Sequence, residues 1–444
     1  MRISPRPLPI NPEDPFSGDL FNRKPFAEVL EKLLVDTTDG AVVSLESEWG
    51  EGKTTFVRMW QAHLEKKSIQ CVYIDAFKID AFADPFSALA AEIDAFAHRS
   101  GFESKVLVKA KSLAKTLLSI SGKLGAKAAT LGLIGTQEWD SFSELKGSVL
   151  EGQDKFIDAA FDKKVSSYLE TNSEIEALKN ALSKLGQATR EKTKAPLIII
   201  IDELDRCSPT YAIEFLESIK HYFNSDDVNY LLVLNSTQLE DSLRSCYGSG
   251  LNGRRYLQKF IDVSMSLPLA VGKVKEQQLI TFCRQAIEAH EVDHHGDIHN
   301  MAEAIADLAN LYGSPLREIE KVITRVCLAY SVLPKNHFRP FDFLAYLCFV
   351  RQYDLNLYQL IRLKKAPVNE MIKKLEDMNE KERPFAWIDQ VTNLIRWSLL
   401  SNDEINSLPE DKKPKVDHVK NFRLRDRDAF LDYVLSLIDN ITLR

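Results

Sequence analysis

The segment Ser47-Glu48-Trp49-Gly50-Glu51-Gly52-Lys53-Thr54-Thr55 restricts what this chain can fold into more than any other stretch. It follows the apolar run Ala41-Val42-Val43-Ser44-Leu45 and opens a helix-like stretch, Phe56 to Leu64. Strand, tight glycine loop and helix N-terminus, in that order, make a cradle for a polyphosphate. Gly50 and Gly52 let backbone N–H groups turn inward. The helix behind them adds the partial positive charge of its N-terminus. Lys53 would reach the β- and γ-phosphates of a nucleotide such as ATP, and the Thr54 hydroxyl would sit on Mg²⁺. The usual pattern begins with Gly, whereas Ser47 stands here. Serine is tolerated there as long as its backbone stays in an allowed region. Ser47 to Thr55 are therefore the expected nucleotide contacts.

A second motif completes the site. Ala195-Pro196 precedes Leu197-Ile198-Ile199-Ile200-Ile201-Asp202-Glu203, a continuous β-branched run ending in two acids. Apolar on both faces, it reads as a central strand of a parallel sheet covered by helices. Asp202 would hold Mg²⁺ through water, and Glu203 is placed to polarise the attacking water as a general base. A buried strand ending in a helix-capping Asp is the plainer reading. Joint occurrence with the glycine loop, in the right order, favours the catalytic one.

Length and charge narrow the class. At 444 residues and 45% hydrophobic the chain can bury a large core and divide into two or three domains. A net charge of −7 gives no global basic character of the kind that marks nucleic-acid binders. The six cysteines are scattered without a CxxC pair, and most fall in expected core segments, which fits a reducing cytosol. Met1 to Asp14 is proline-rich without an apolar segment, unlike a signal peptide. No stretch reaches the roughly 18 uninterrupted apolar residues of a membrane span. A cytoplasmic protein is the expectation.

Five strands are expected: Ala41–Leu45, Gln70–Ile74, Leu197–Ile201, Asn229–Leu234 and Ile261–Leu267. Helical stretches separate them, the alternation of a doubly wound sheet. Between the second and third the chain runs far beyond a simple crossover, so an insertion sits there. Ser208-Pro209 starts a helix whose apolar face is Ile213, Leu216, Ile219, Tyr222 and Phe223. The expected units are an N-terminal segment 1–40, a nucleotide-binding core 41–270 with a helical insertion at 100–190, a helical lid 271–335, and a C-terminal helical domain 336–444.

The Trp49–Thr54 and Ile201–Cys207 segments together resemble the KAP P-loop NTPases, whose loop carries Trp-Gly-x-Gly-Lys-Thr/Ser and whose acidic strand ends in Asp-Asp/Glu-Leu-Asp-Arg-Cys. Asp19-Leu20-Phe21-Asn22-Arg23 is similar to the family's N-terminal Asp-x-Leu-Gly-Arg, with Asn22 in place of Gly, and suggests Arg23 as a further nucleotide-site residue. Asp84–Leu89 and Tyr256–Ile261 followed by Leu267-Pro268 resemble two more family segments. The likeness spans roughly residues 15–330. It implies an ATPase of the additional-strand class, an α/β fold with a five-stranded parallel sheet in the order 5-1-4-3-2 and a small helical lid. Many family members carry transmembrane helices where this chain has its insertion. Bacterial members frequently act in defence against phage or plasmids, among them the ATPase of the Qat system.

Other constellations carry open alternatives. Asn235, ending the fourth strand, is either an amide that orients the attacking water or a turn residue. Arg254 and Arg255 are either fingers reaching a neighbouring subunit's γ-phosphate or solvated surface charges. Arg317 stands near the place of a nucleotide-sensing lid arginine, one residue further from the proline than in the family, with Leu316 between. Arg206 reads as structural, paired with Asp205 or with an acid of the glycine loop. The stretch 104–137 has six lysines and no acid. It reads as a basic amphipathic hairpin that lies on a membrane surface, grips a protein, touches nucleic acid, or packs on its own domain. His290, His294, His295 and His299 have helical metal-ligand spacing but lie in a polar stretch, and a loop is the preferred reading.

The whole reads as an ATP- and Mg²⁺-dependent ATPase acting as a conformational or assembly switch in a bacterial anti-phage defence complex. Protein partners and a homo-oligomer are the expected company. The competing readings are a nucleotide-gated scaffold with little turnover and a membrane-peripheral organiser docking through 104–137.

Overall fold

The computed structural model describes residues 10–80, 85–99, 114, 176–220, 225–268, 273–292, 298–332, 340–378, 386–416 and 427–441. Apart from Ala114, the basic segment 104–137 lies outside them, as do Tyr222, Phe223, His294 and His295.

Five strands form one all-parallel sheet: β1 Val42–Glu46, β2 Cys71–Asp75, β3 Leu197–Asp202, β4 Val228–Leu234 and β5 Val263–Ser266. Their order is β2-β3-β4-β1-β5, the 5-1-4-3-2 arrangement that the resemblance implied. The expected strands are all present, with ends moved by a residue or two. The sheet brings the functional ends together. Asp75 lies level with Asp202 across β2 and β3, and Glu46 lies level with Leu234 across β1 and β4.

Alternation along each strand divides the core into two layers, because successive side chains leave a strand on opposite faces. Val43, Leu45, Ile198, Ile200, Leu231 and Val233 face α1 (Lys24–Asp36) and α2 (Lys53–Lys66), meeting Leu30, Phe56 and Trp60. Val42, Val72, Ile199, Ile201, Tyr230 and Leu232 face the other way. There they meet α4 (Pro85–Arg99), which follows the short α3 (Ala76–Asp80), then α5 (residues 176–193), α6 (Pro209–Ser218) and α7 (Ser236–Tyr247). Covered on both faces, β1 to β4 are buried almost throughout, whereas the edge strand β5 is largely exposed. Ala114 is buried in this second layer.

Ser208 precedes α6 but does not cap it. Its N–H and hydroxyl both donate to the Asp80 carboxylate, at 2.8 and 3.0 Å, tying α6 to α3. The short α8 (Gly253–Leu257) leads into β5.

Beyond β5 the described chain is helical: α9 (Lys273–Ala289), α10 (Ile298–Tyr312), α11 (Leu316–Val332), α12 (Phe341–Tyr353), α13 (Leu355–Arg362), α14 (Val368–Glu376), α15 (Ala386–Leu399), α16 (Asn402–Ser407) and α17 (Arg427–Asp439). Residues from α9 to α17, apart from the short α16, share one continuous core, running through Cys283, Ile305, Ile323, Phe349, Leu394 and Phe430. The expected boundary between lid and C-terminal unit near 335 falls inside that core. Cys71, Cys207, Cys283, Cys327 and Cys348 are buried, Cys246 is exposed, and none of the six forms a disulfide.

Candidate functional site

The loop between β1 and α2 takes the shape its glycines permit. Gly50 (φ 91°) and Gly52 (φ 82°) both occupy the left-handed region. Gly50 has a second reason to be glycine: a Cβ there would stand 2.7 Å from the Arg317 Cβ. Ser47 is not among the positive-φ residues, so serine at the loop entrance carries no backbone strain. Asn22 has φ 51°, which explains how asparagine fills a place where the family pattern has glycine, since Asn visits this region more readily than other side chains.

Lys53 folds back over the loop, its ammonium donating to the carbonyls of Ser47 and, at 3.0 Å, Glu48. Burial pulls its pKa down, while Asp205, Asp202 and Glu48 act in the opposite direction. Two side-chain tethers fix the loop to the sheet. The Trp49 indole N–H donates to Asp205, and Asn235 Nδ2 donates to Glu48 Oε2 at 3.0 Å. Asn235 Oδ1 meanwhile caps α7, accepting from the N–H groups of Thr237 and Gln238. Both ends of its amide are thus engaged in holding structure. Thr55 lines the cleft, and the Glu51 carbonyl accepts from Arg23 Nη1 at 3.4 Å. Arg23 is buried, with its Nε on Asp19 Oδ1 at 3.0 Å and its guanidinium 5.1 Å from the Phe21 ring centre.

Asp202, 1% exposed, is held by two donors. The Tyr73 hydroxyl reaches Oδ2 at 2.8 Å and the Glu203 N–H reaches Oδ1 at 2.8 Å, while the Thr54 hydroxyl stands near enough to favour its charged form. Burial raises its pKa and these hydrogen bonds counter that. Arg58 stacks on the Tyr73 ring, its guanidinium carbon 3.4 Å from the ring centre. Thr54 and Asp202, expected as metal ligands from two motifs far apart in sequence, therefore stand close to each other. A hydroxyl and a carboxylate beside a lysine-bearing glycine cradle are the oxygen donors that Mg²⁺ requires. The site fits the ion.

Glu203 sits in the left-handed region (φ 62°, ψ 26°), a costly conformation for a non-glycine residue. That turn starts a single 3₁₀ turn, Leu204–Arg206, and brings Arg206 back over its own carboxylate, Nη2 to Oε1 at 3.1 Å. Arg206 is therefore paired with Glu203 and not with Asp205 or a loop acid. Burial raises the Glu203 pKa, and Arg206 partly offsets the shift.

The glycine loop and the Glu203–Arg206 turn open on one cleft of about 340 Å³, whose lining does not include Asp202, Tyr73 or Asn235. Its walls include Gly50, Lys53, Thr54, Glu203 and Arg206 from the core, Phe21 and Arg23 from the N-terminal segment, and Phe282, Arg317 and Glu320 from the lid helices. Arg317 reaches it despite the extra residue after the proline, because its backbone N–H bonds the Gly50 carbonyl at 3.3 Å. Arg254 and Arg255 are exposed on α8 and do not line the cleft. His290 bonds Thr324 at 3.1 Å and His299 bonds Glu303 at 3.3 Å, and no cluster of three or more His, Cys, Asp or Glu side chains placed to hold a metal occurs among the described residues.

Sequence reasoning missed Tyr73, Phe282 and Glu320, which come from segments with no motif of their own, and Phe21, which lies within the Asp19–Arg23 motif without being singled out. It read Arg206 as structural. The available signal was its position three residues after Glu203, a spacing that meets only across a helical turn.

Among solved structures, the Aeropyrum pernix ORC2 protein (ADPNP–ADP complexes) is 13% identical, with 94% of each chain covered and a TM-score of 0.37, too distant to carry an argument. No curated protein matches the sequence. The KAP family P-loop domain matches residues 23–333, from the buried Arg23 to the end of α11, and on that match the chain belongs to the KAP family of P-loop NTPases.

Proposed function

We propose that this chain binds ATP with Mg²⁺ and hydrolyses it, using the cycle as a conformational or assembly switch. The observation that carries this reading is the convergence of Lys53, Thr54, Glu203 and the lid's Arg317 on one cleft, over a buried Asp202. Lys53 binds the β- and γ-phosphates, and the inward-turned loop amides hold the chain of phosphates in place. Thr54 and Asp202 would hold Mg²⁺, which supplies charge neutralisation at the phosphates. Glu203 orients and deprotonates the attacking water. Arg317, bonded through its backbone to Gly50, supports a link from phosphate occupancy to the lid. Isothermal titration with ATP, followed by a single-turnover hydrolysis assay, tests both halves. Absence of binding removes the reading.

One observation favours the second reading, a nucleotide-gated scaffold with little turnover: the Glu203 carboxylate is engaged by Arg206. A wild-type single-turnover rate no faster than that of Glu203→Gln would select it. The placement in a bacterial anti-phage defence complex rests on the family resemblance alone. Its test is phage plating on cells carrying the wild-type or the Lys53→Ala gene in its own operon, where only the wild type should protect. Among the described residues no helix is long and apolar enough to cross a membrane.

A further inference from the structure

We infer that Arg206 exchanges between two anions: the Glu203 carboxylate it holds in this structure, and the terminal phosphate of a bound triphosphate. This rests on the ATP reading above and adds to it a residue, in the same chain, that tells ATP from ADP and frees the base when the γ-phosphate is seated.

Three features support it. First, the pair lies in the cleft itself, since Glu203 and Arg206 line it together with Lys53, Thr54 and Arg317. Second, Arg206 has no stronger commitment. Asp205, its neighbour, accepts from the Trp49 indole, and among the described residues the one ion pair of Arg206 is with Glu203. With side chains 31% and 18% exposed, such a pair is weak and inexpensive to open. A phosphate offers the guanidinium more negative charge and oxygens in the geometry that suits its planar fork. Third, the backbone keeps both groups near the phosphates. The left-handed turn at Glu203 and the Arg206 N–H bonded to the Glu203 carbonyl at 3.1 Å fix the base and the guanidinium on one short turn. Moving from one anion to the other then requires only side-chain rotation.

The other cations in the cleft are placed differently. Arg23 is buried and bound to Asp19 and the Glu51 carbonyl. Lys53 belongs to the glycine loop. Arg317 arrives on the lid, so it reports the lid's position. Arg206 alone among these four touches the base.

The test uses the full chain and measures affinities for ATP and ADP, by titration in the presence of Mg²⁺, for wild type, Arg206→Gln, Arg206→Lys, Glu203→Gln and the Arg206→Gln/Glu203→Gln double variant. Arg206→Gln should weaken ATP roughly tenfold, the worth of one charged hydrogen bond, and leave ADP within about twofold. The same loss should persist in the Glu203→Gln background, because the lost contact is with phosphate, and Arg206→Lys should recover part of it. Equal weakening of ATP and ADP would show that Arg206 only supports the turn. A loss that vanishes in the Glu203→Gln background would show that it acts only through Glu203. Either result overturns the inference while leaving nucleotide binding intact, whereas a wild-type chain that binds neither nucleotide defeats the ATP reading itself.

Discussion

Lys53 is the only ammonium in the glycine loop, and its bonds to the Ser47 and Glu48 carbonyls hold it where a polyphosphate would lie. Lys53→Ala should abolish ATP binding, since the loop amides alone lack a compact charge between the phosphates. Wild-type affinity by calorimetry would refute the loop's role. Glu203→Gln should not weaken ATP but should slow single-turnover hydrolysis by roughly a hundredfold or more, the usual worth of a general base. Tyr73→Phe tests the support beneath the proposed metal site. It removes the hydroxyl on Asp202 Oδ2 and leaves that carboxylate freer to turn. The Mg²⁺ concentration giving half-maximal activity should rise by about tenfold, in line with a hydrogen bond to a charged group, with ATP saturation otherwise reached. An unchanged Mg²⁺ titration would make Tyr73 a packing residue. Lys53, Thr54, Asp202 and Glu203, which the fold brings together, could be singled out as candidates in the sequence because residues of these types stand at fixed spacing within two short motifs. Tyr73, on β2, acts through a parallel strand distant in sequence, and no local pattern records that. Asn235 was legible as a strand-end residue, but its division between capping α7 and holding Glu48 depends on partners only the fold supplies.

The inner strands could be read because burial on both faces leaves apolar runs, which the exposed edge strand β5 lacks, and the strand order came through the family resemblance and not from the runs themselves. Ala114 shows what the insertion's composition concealed. It is buried with Leu178 and Leu182 against the sheet, so at least that residue of the basic segment belongs to the core. At the other end of the molecule, α11 joins two environments. Its first turn meets Gly50 at the cleft, and its later residues enter the helical core with α12 and α13. Arg325 sits on this inner part, 9% exposed, near Cys348, Arg351 and Tyr358. Its Nε and Nη1 are buried without a hydrogen-bond partner, and burial pulls its pKa down. A desolvated cation with so little compensation costs stability. Arg325→Met, which keeps a long flexible side chain, should stabilise the fold by about 1–3 kcal/mol, the cost of burying unsatisfied polar groups. Thermal unfolding gives the answer, and a lowered melting temperature would mean that the guanidinium is paired.

At the scale of the whole molecule, Arg254 and Arg255 can no longer be weighed as parts of their own chain's cleft. Both are exposed on α8, which packs on α7 so closely that a Cβ on Gly253 would stand 2.8 Å from the Glu240 Cβ. That contact fixes the base of α8 and leaves the two guanidinium groups facing outward. We propose that they act on the cleft of a second copy. A finger of this kind gains most as charge builds on the separating γ-phosphate, so each single Arg→Ala variant should lower kcat more than it raises the ATP dissociation constant. Turnover per subunit should rise with protein concentration, because the complete site forms only on assembly. Mixing Lys53→Ala with Arg254→Ala or Arg255→Ala protein should restore part of the activity, since some mixed interfaces pair an intact loop with an intact finger. Variants of Arg206 should not be rescued by such mixing, because Arg206 and Glu203 belong to the same turn and a second copy cannot supply either. Sedimentation alongside the assay completes the test: a monomer at every concentration, with turnover independent of concentration and no recovery on mixing, would return Arg254 and Arg255 to the solvated surface.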